Sequence, residues 1–250
     1  MISLYQFDYT QLSDTGRLRS ENQDESGVFY VPNGLLLMVA DGMGGHAGGR
    51  EAAHLAIQTI RTYLQQKKYD NIRSAIQVAF EIANTKIRIK AQQNIQLRGM
   101  GATLVLVLFD GKQIYYAHAG DSRLYYYSAK ELNLLTKDHS VIQQLLDLGI
   151  VTPIEAMYHP QAHKVTSALG VDEMMVSITD APLSAHTGDI FLLCSDGLNN
   201  MVLAEEIEAI LKDDSLTLFQ KNTLLIQKAN QAGGTDNITV VLLEIKAKTE

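Results

Sequence analysis

The residues of this chain best placed to do chemistry are aspartates at the ends of apolar runs. Asp41 closes the run Leu35-Leu36-Leu37-Met38-Val39-Ala40, Asp121 follows Tyr115 to Gly120, Asp196 follows Phe191 to Ser195, and Asp236 precedes the run from Asn237 to Ile245. Asp24 ends the polar stretch Arg19-Ser20-Glu21-Asn22-Gln23. Carboxylates this far apart in sequence cannot serve one another locally. They make sense if the fold gathers them, and gathered carboxylates repel unless hard cations sit among them. The pattern points to a divalent-metal site, and oxygen ligands favour Mg2+ or Mn2+ over zinc.

Each element of the pattern also has a plainer meaning. Asp41-Gly42-Met43-Gly44-Gly45-His46 can be a strand-to-helix turn capped by Asp41. Its dense glycines, however, suit close backbone approach to a ligand. It is not a nucleotide-phosphate loop, since no Lys-Ser/Thr follows. Gly120-Asp121-Ser122-Arg123 can be a tight turn with Arg123 pairing Asp121. Asp196 can cap the helix after it, and Gly234-Thr235-Asp236-Asn237 can be a turn. Cys194 ends an apolar run without an activating neighbour and reads as a small buried hydrophobe. The histidines show no zinc-ligand spacing. His118 reads as a strand residue of the core, whereas His46, on the glycine loop, is placed for chemistry. Arg19 beside a metal cluster would match a phosphate monoester in fork geometry.

The elements that must position these groups change period along the chain. Ser3 to Thr10 alternates like a half-buried strand, and 27–31 with 34–41 reads as a hairpin around Pro32-Asn33. Ala52, Ala53, Ala56, Ile57, Ile60 and Leu64 recur at helical spacing, as do Ile76, Ala79, Phe80, Ala83 and Ile87 between 72 and 93. Strands return at 102–109 and 112–119, joined by Asp110-Gly111, a strong hairpin signal. Further strands are expected at 123–128, 174–179, 189–195 and 237–245, with helices near 203–211 and 216–231. Strands and helices come in blocks, which favours α+β with two packed antiparallel sheets flanked by helices. The segment from Lys137 to Leu169 stands apart: a short helical patch at 141–148, two prolines and three histidines mark an inserted surface element.

With 250 residues, 46% apolar and 20% charged, the chain has the composition of a globular protein with a sizeable core, and without a linker or repeat it reads as a single domain over 1–250. Its net charge of −7 argues against nucleic acid or an anionic membrane as partner. No apolar run approaches the roughly 20 residues that span a bilayer. The start, MISLYQFDY, lacks a signal-peptide pattern, and one cysteine permits no intrachain disulfide, so the expected compartment is cytoplasmic.

Seven short motifs stand in an order that resembles the PPM family of metal-dependent protein phosphatases, the type 2C Ser/Thr phosphatases, in their compact bacterial form. They are Arg19-Ser-Glu-Asn-Gln-Asp24, Asp41-Gly-Met-Gly-Gly-His46, Met100-Gly-Ala-Thr-Leu104, Gly120-Asp-Ser-Arg123, Asp138-His-Ser140, Ser195-Asp-Gly-Leu198 and Thr235-Asp-Asn-Ile-Thr239. The resemblance runs from about Tyr5 to Ile245. It implies a four-layer α-β-β-α sandwich with the metal centre at one end and the 137–169 insertion as a flap over it. It also implies two or three Mn2+ or Mg2+ ions: Asp41 bridging two, the Gly42 carbonyl ligating one, Asp196 and Asp236 holding the other, and Asp121 with Asp196 forming a third, weaker site. Asp24 would act from behind through metal-bound water. Arg19 would grip the phosphate, and a metal-bridging hydroxide would attack phosphorus directly.

The chain departs from the family at Met43, where many eukaryotic members carry a histidine proposed as general acid. That leaves His46 or a metal-bound water for leaving-group protonation. Gln23 replaces a glutamate of some members, and Ala102 a threonine. The function implied is a phosphoserine/phosphothreonine protein phosphatase, acting as a monomer on phosphoproteins of a cognate Ser/Thr kinase. The competing functions are a catalytically inactive phosphoprotein-binding regulator and a small-molecule phosphoesterase on the same fold.

Overall fold

The computed structural model describes residues 6–45, 48–161 and 164–247. Its first strand, β1 (Gln6–Asp14), is followed by the hairpin of β2 (Asp24–Val31) and β3 (Gly34–Met43). Two long helices, α1 (Gly48–Leu64) and α2 (Ile72–Gln93), come next. The short β4 (Gly101–Ala102) then leads into β5 (Leu104–Phe109), β6 (Gln113–Ala119), β7 (Arg123–Ser128) and β8 (Glu131–Leu134). Within the insertion lie α3 (Val141–Asp147) and α4 (Pro153–Met157), and after it the two-residue strands β9 (Ser177–Ile178) and β10 (Leu183–Ser184). The chain ends with β11 (Ile190–Cys194), α5 (Asp196–Asn199), α6 (Ala204–Lys212), α7 (Leu218–Gln231) and β12 (Ile238–Lys246).

Among the described residues the strands form two antiparallel sheets. One runs β1-β12-β11-β7-β8; the other runs β10-β6-β5-β3-β2, with β4 added to β3 and β9 to β6. The alternation of side chains along each strand decides the layering. On β3, Leu35, Leu37 and Val39 meet Leu193, Val241 and Leu243 of the opposite sheet. Leu36, Met38 and Ala40 face the other way, onto Ala53, Ile57, Phe80 and Ala83 of α1 and α2. The second sheet repeats the arrangement, sending Leu192, Val240 and Leu242 toward Leu198, Ile207, Leu225 and Ala229 of α5 to α7. The four-layer α-β-β-α sandwich read from the sequence is the observed fold.

Local signals explain the helix starts. Asn71 accepts a bond from the Ser74 amide at 2.9 Å, and Thr217 forms a reciprocal capping box with Gln220. Some elements depart from the sequence reading. The first strand runs on past Thr10 to Asp14, because Gln6 to Asp14 pair along β12, while residues 3–5 of the expected strand lie outside the described residues. The strand expected at 174–179 shrinks to Ser177–Ile178, which pairs only with the last turn of β6. The strand expected at 102–109 is broken at Thr103: Ala102 pairs with Gly42, while Leu104 begins a separate ladder with β6.

Candidate metal centre

Every predicted carboxylate emerges at the same end of the sandwich. Asp24 opens β2 and Asp41 lies near the end of β3, and the two are directly opposed in the antiparallel register. Asp121 sits in the turn between β6 and β7, Asp196 follows β11, and Asp236 precedes β12. Like charges facing each other across a strand pair are destabilising. The register that pairs Val28 with Leu37 in the core fixes this opposition, so the sheet cannot relieve it by slipping.

A cleft of about 660 Å3 opens at this end, with Arg19, Asp41, Gly42, Asp121, Asp196 and Asp236 among its lining residues. Asp24 lies behind the cleft wall and is buried. Burial, then the charges of Asp196 and Asp236, push the Asp24 carboxyl up to about 7, against the pull of bonds from Ser195 and Thr239. Asp121 is likewise pushed up to about 7 by desolvation and the nearby Asp196 and Asp138. Asp41 is held well above the usual carboxylate range by desolvation and by Asp24, Asp196, Asp121 and Asp236. The predicted carboxylates therefore feel one another's charge.

Protein donors hold several of them. Arg19 Nη2 donates to Asp236 Oδ2 at 2.8 Å, and that bond raises the guanidinium pKa further. Asp236 Oδ1 takes the Asn237 amide at 2.8 Å, and Asp196 Oδ2 takes Asn200 Nδ2 at 3.0 Å. Among the described residues no three His, Cys, Asp or Glu side chains already stand as a closed metal cage. The donor set nevertheless fits a hard divalent cation, because it consists of carboxylates and a peptide carbonyl. The buried Asp24 Oδ1, moreover, has no hydrogen-bond partner among the described residues. A buried carboxylate oxygen left so costs free energy unless something positive satisfies it.

The Gly42 carbonyl is placed by backbone contact. A Cβ on Gly42 would lie 2.1 Å from the Gly49 carbonyl oxygen, so the end of β3 and the start of α1 touch main chain to main chain. Thr103 secures the same strand end: its amide donates to the Asp41 carbonyl at 2.8 Å and its Oγ1 accepts from the Asp41 amide at 3.3 Å. His46 lies outside the described residues.

Arg123 does not pair Asp121, as a simple turn would have had it. Its guanidinium binds Asp138 two-pronged, Nη2 to Oδ2 at 2.7 Å and Nε to Oδ1 at 3.0 Å. Asp121 thus keeps its carboxylate for the cleft. His118 is buried, with Nε2 bonded to the Lys137 carbonyl at 2.9 Å, and it stacks on His139 at 4.5 Å between ring centroids. His139 Nδ1 accepts the Gly120 amide at 3.3 Å, and Nε2 meets Ser177 Oγ at 2.9 Å. The pair braces the turn that carries Asp121 against the root of the insertion.

Reading the sequence by strand-end aspartates missed the small polar residues beside them. Ser195 and Asn237 border the singled-out Asp196 and Asp236 in the same motifs. Asn237 Oδ1 accepts the Gln23 amide at 2.8 Å, and its Nδ2 donates to the Thr15 and Glu21 carbonyls at 2.9 Å. It therefore ties the Arg19 loop to the Asp236 turn.

The sequence model of protein phosphatase 2C matches residues 17–231. The serine/threonine phosphatase stp of Listeria monocytogenes is 38% identical over 237 residues, covering 93% of each chain. The structure of the S. agalactiae serine/threonine phosphatase superposes with a TM-score of 0.90 at 34% identity, covering 96% of this chain and 99% of that one. The catalytic domain of the serine/threonine protein phosphatase PstP, solved in complex with 2 manganese ions, gives 0.84 at 33% identity, with 96% and 98% covered.

Proposed function

This chain belongs to the protein phosphatase 2C family, and from that premise we propose that it is a metal-dependent phosphatase of phosphoserine and phosphothreonine in proteins. The observation that carries this reading is the cluster of mutually repelling carboxylates around one cleft with a guanidinium at its rim. Asp41, Asp196 and Asp236 would hold two divalent ions with the Gly42 carbonyl, and Asp121 with Asp196 a third. The structure of PstP with manganese supports Mn2+ as one such ion. When bound, divalent ions supply charge neutralisation and Lewis-acid activation of water and of the phosphoryl group.

The chain's own groups bind and orient the substrate. Arg19 uses Nη2 on Asp236, which fixes its plane and leaves the rest of its fork to bond phosphate oxygens. Bonded in this way, the guanidinium binds and orients the phosphoryl group. Met43 cannot donate a proton to the departing serine or threonine, which leaves His46 or a water for that task. The 137–169 segment forms the flap: Ser140 bridges to Val165, which lines the cleft, and Leu169 bridges to Ala102 beside Gly42. No helix of the described residues is long and apolar enough to cross a membrane. The partners proposed are cytoplasmic phosphoproteins and the Ser/Thr kinase that phosphorylates them.

A Mn2+-dependent assay on a phosphothreonine peptide, run beside a panel of nucleotides and small phosphoesters, tests the proposal. Peptide turnover that stops in Asp41→Ala and in Asp196→Ala is the expected result. Turnover of small esters alone would move the enzyme to another substrate class. Near-wild-type peptide turnover in either variant would remove the metal assignment.

A further inference from the structure

Asp24 sits in a network of hydrogen bonds with small polar side chains. Its own amide donates to Asn22 Oδ1 at 3.1 Å, which orients the Asn22 carboxamide. Asn22 Nδ2 then donates to Ser13 Oγ at 2.7 Å. Ser13 Oγ and Thr239 Oγ1, 2.7 Å apart, share a hydrogen bond. The Thr239 hydroxyl lies beside the Asp24 carboxylate and favours its charged form.

A second chain converges on the same carboxylate. The Thr239 amide donates to Ser195 Oγ at 3.0 Å, and Ser195 Oγ donates to Asp24 Oδ2 at 2.6 Å. The other acceptor open to Ser195, the Asn237 carbonyl, lies at 3.5 Å, so the short bond to the carboxylate wins. Ser195 and Thr239 are fully buried, and no water competes for these protons. Oδ2 is therefore occupied, and Oδ1 is the buried atom that lacks a partner among the described residues. One oxygen is anchored and the other is kept for the cluster.

We propose that Ser195 and Thr239 are positioning residues that act through Asp24: Ser195, held by the Thr239 amide, fixes Oδ2, the Thr239 hydroxyl lies beside the carboxylate, and Oδ1 is presented to the cation cluster. The proposal rests on the phosphatase reading for what the cluster holds, and on the Ser195 and Thr239 hydrogen bonds for how Asp24 is held. Groups that orient a metal site's carboxylates from behind contribute affinity without touching the ion. If the two residues only stabilised the fold, their loss would be felt whether or not residue 24 were a carboxylate.

The test uses the whole chain and Mn2+ alone as the probe, titrated calorimetrically. Thr239→Val is nearly isosteric, keeps the strand amide and removes the hydroxyl; Ser195→Ala removes the other donor; Thr239→Ser restores the first. Each is made with Asp24 and with Asp24→Asn. Thr239→Val and Ser195→Ala are expected to lower Mn2+ affinity about 10-fold, Thr239→Ser to recover it, and both losses to fall below about 2-fold in the Asp24→Asn background, the signature of coupling through one residue. Unchanged affinity in the single variants overturns the proposal, as does an equal loss in both backgrounds. If Ser195→Ala does not fold, the Thr239 pair decides alone. Phosphothreonine-peptide turnover is read in parallel: wild type that binds Mn2+ without hydrolysis defeats the phosphatase reading and leaves the coupling test standing. Wild type that does not bind Mn2+ overturns both.

Discussion

At the residue scale, a buried or half-buried carboxylate is defined by what its oxygens do. Asp236 divides its oxygens between Arg19 and the Asn237 amide, Asp24 gives one to Ser195, and Asp121 is spared Arg123 because Asp138 takes that fork. Arg19 is the group here whose loss should be felt most by substrate. A charge-assisted bond contributes about 1.5–3 kcal/mol, so Arg19→Ala should raise KM for a phosphopeptide about 10-fold or more. Arg19→Lys should recover little, since an ammonium cannot span two phosphate oxygens while holding Asp236. Steady-state kinetics on the same peptide decide it: an unchanged KM in Arg19→Ala removes the phosphate role.

At the element scale, the site depends on close approach of main chains. A Cβ on Gly49 would lie 2.6 Å from the Gly42 carbonyl oxygen and 2.8 Å from Gln23 Oε1. Helix α1 can therefore begin where it does only while position 49 has no side chain. Gly49→Ala should cost about 1–3 kcal/mol through overpacking and also weaken Mn2+ binding, because the atom that must move is the Gly42 carbonyl. Thermal unfolding with a Mn2+ titration checks both, and lost stability with unaltered Mn2+ affinity would separate the carbonyl from the site. Elements such as α1, α2 and the β2-β3 hairpin were legible in the sequence because their burial repeats at a fixed period: Ala53, Ile57, Ile60 and Leu64 on a helix, Leu35, Leu37 and Val39 on a strand. The ends of β11 and β12 were legible for the same reason, and with them the positions of Asp196 and Asp236. The two-residue strand β10 was not, and β9 was read too long at 174–179, since such short stretches have no period and exist only because β6 offers an edge. Nor was the bond from Ser195 to Asp24, which spans 171 residues. Sequence shows that a serine adjoins Asp196, but only the packing of the two sheets decides which carboxylate receives its proton.

At the scale of the whole molecule, the cluster draws on both sheets, with Asp24 and Asp41 from one and Asp196 and Asp236 from the other. Packing the inter-sheet core and crowding the carboxylates are therefore one event, and the fold bears the repulsion. The sign of the pH dependence follows. Asp24 and Asp121 rise from 3.8 to about 7 on folding, so between those values the native state binds protons that the unfolded chain has released. Stability tracks protons bound by the unfolded state minus those bound by the native state, and it therefore falls as pH rises through this window. The contribution is whole below about 4 and fully lost above about 7, and Asp41 acts in the same direction. The buried histidines oppose it: His139 is lowered from 6.5 to about 4 by burial and by His118, so its contribution is lost as pH falls from 6.5 toward 4. That opposing share belongs to the fold with or without a cation, so the difference between the two conditions isolates the carboxylates. Unfolding temperatures in chelator and in saturating Mg2+ should diverge as pH rises from 5 to 8, and at about 2–4 °C per kcal/mol for a chain of this size the gap should widen by about 5 °C or more. A gap that stays constant across this range would mean that the cation is not held by the carboxylates that crowd the cleft.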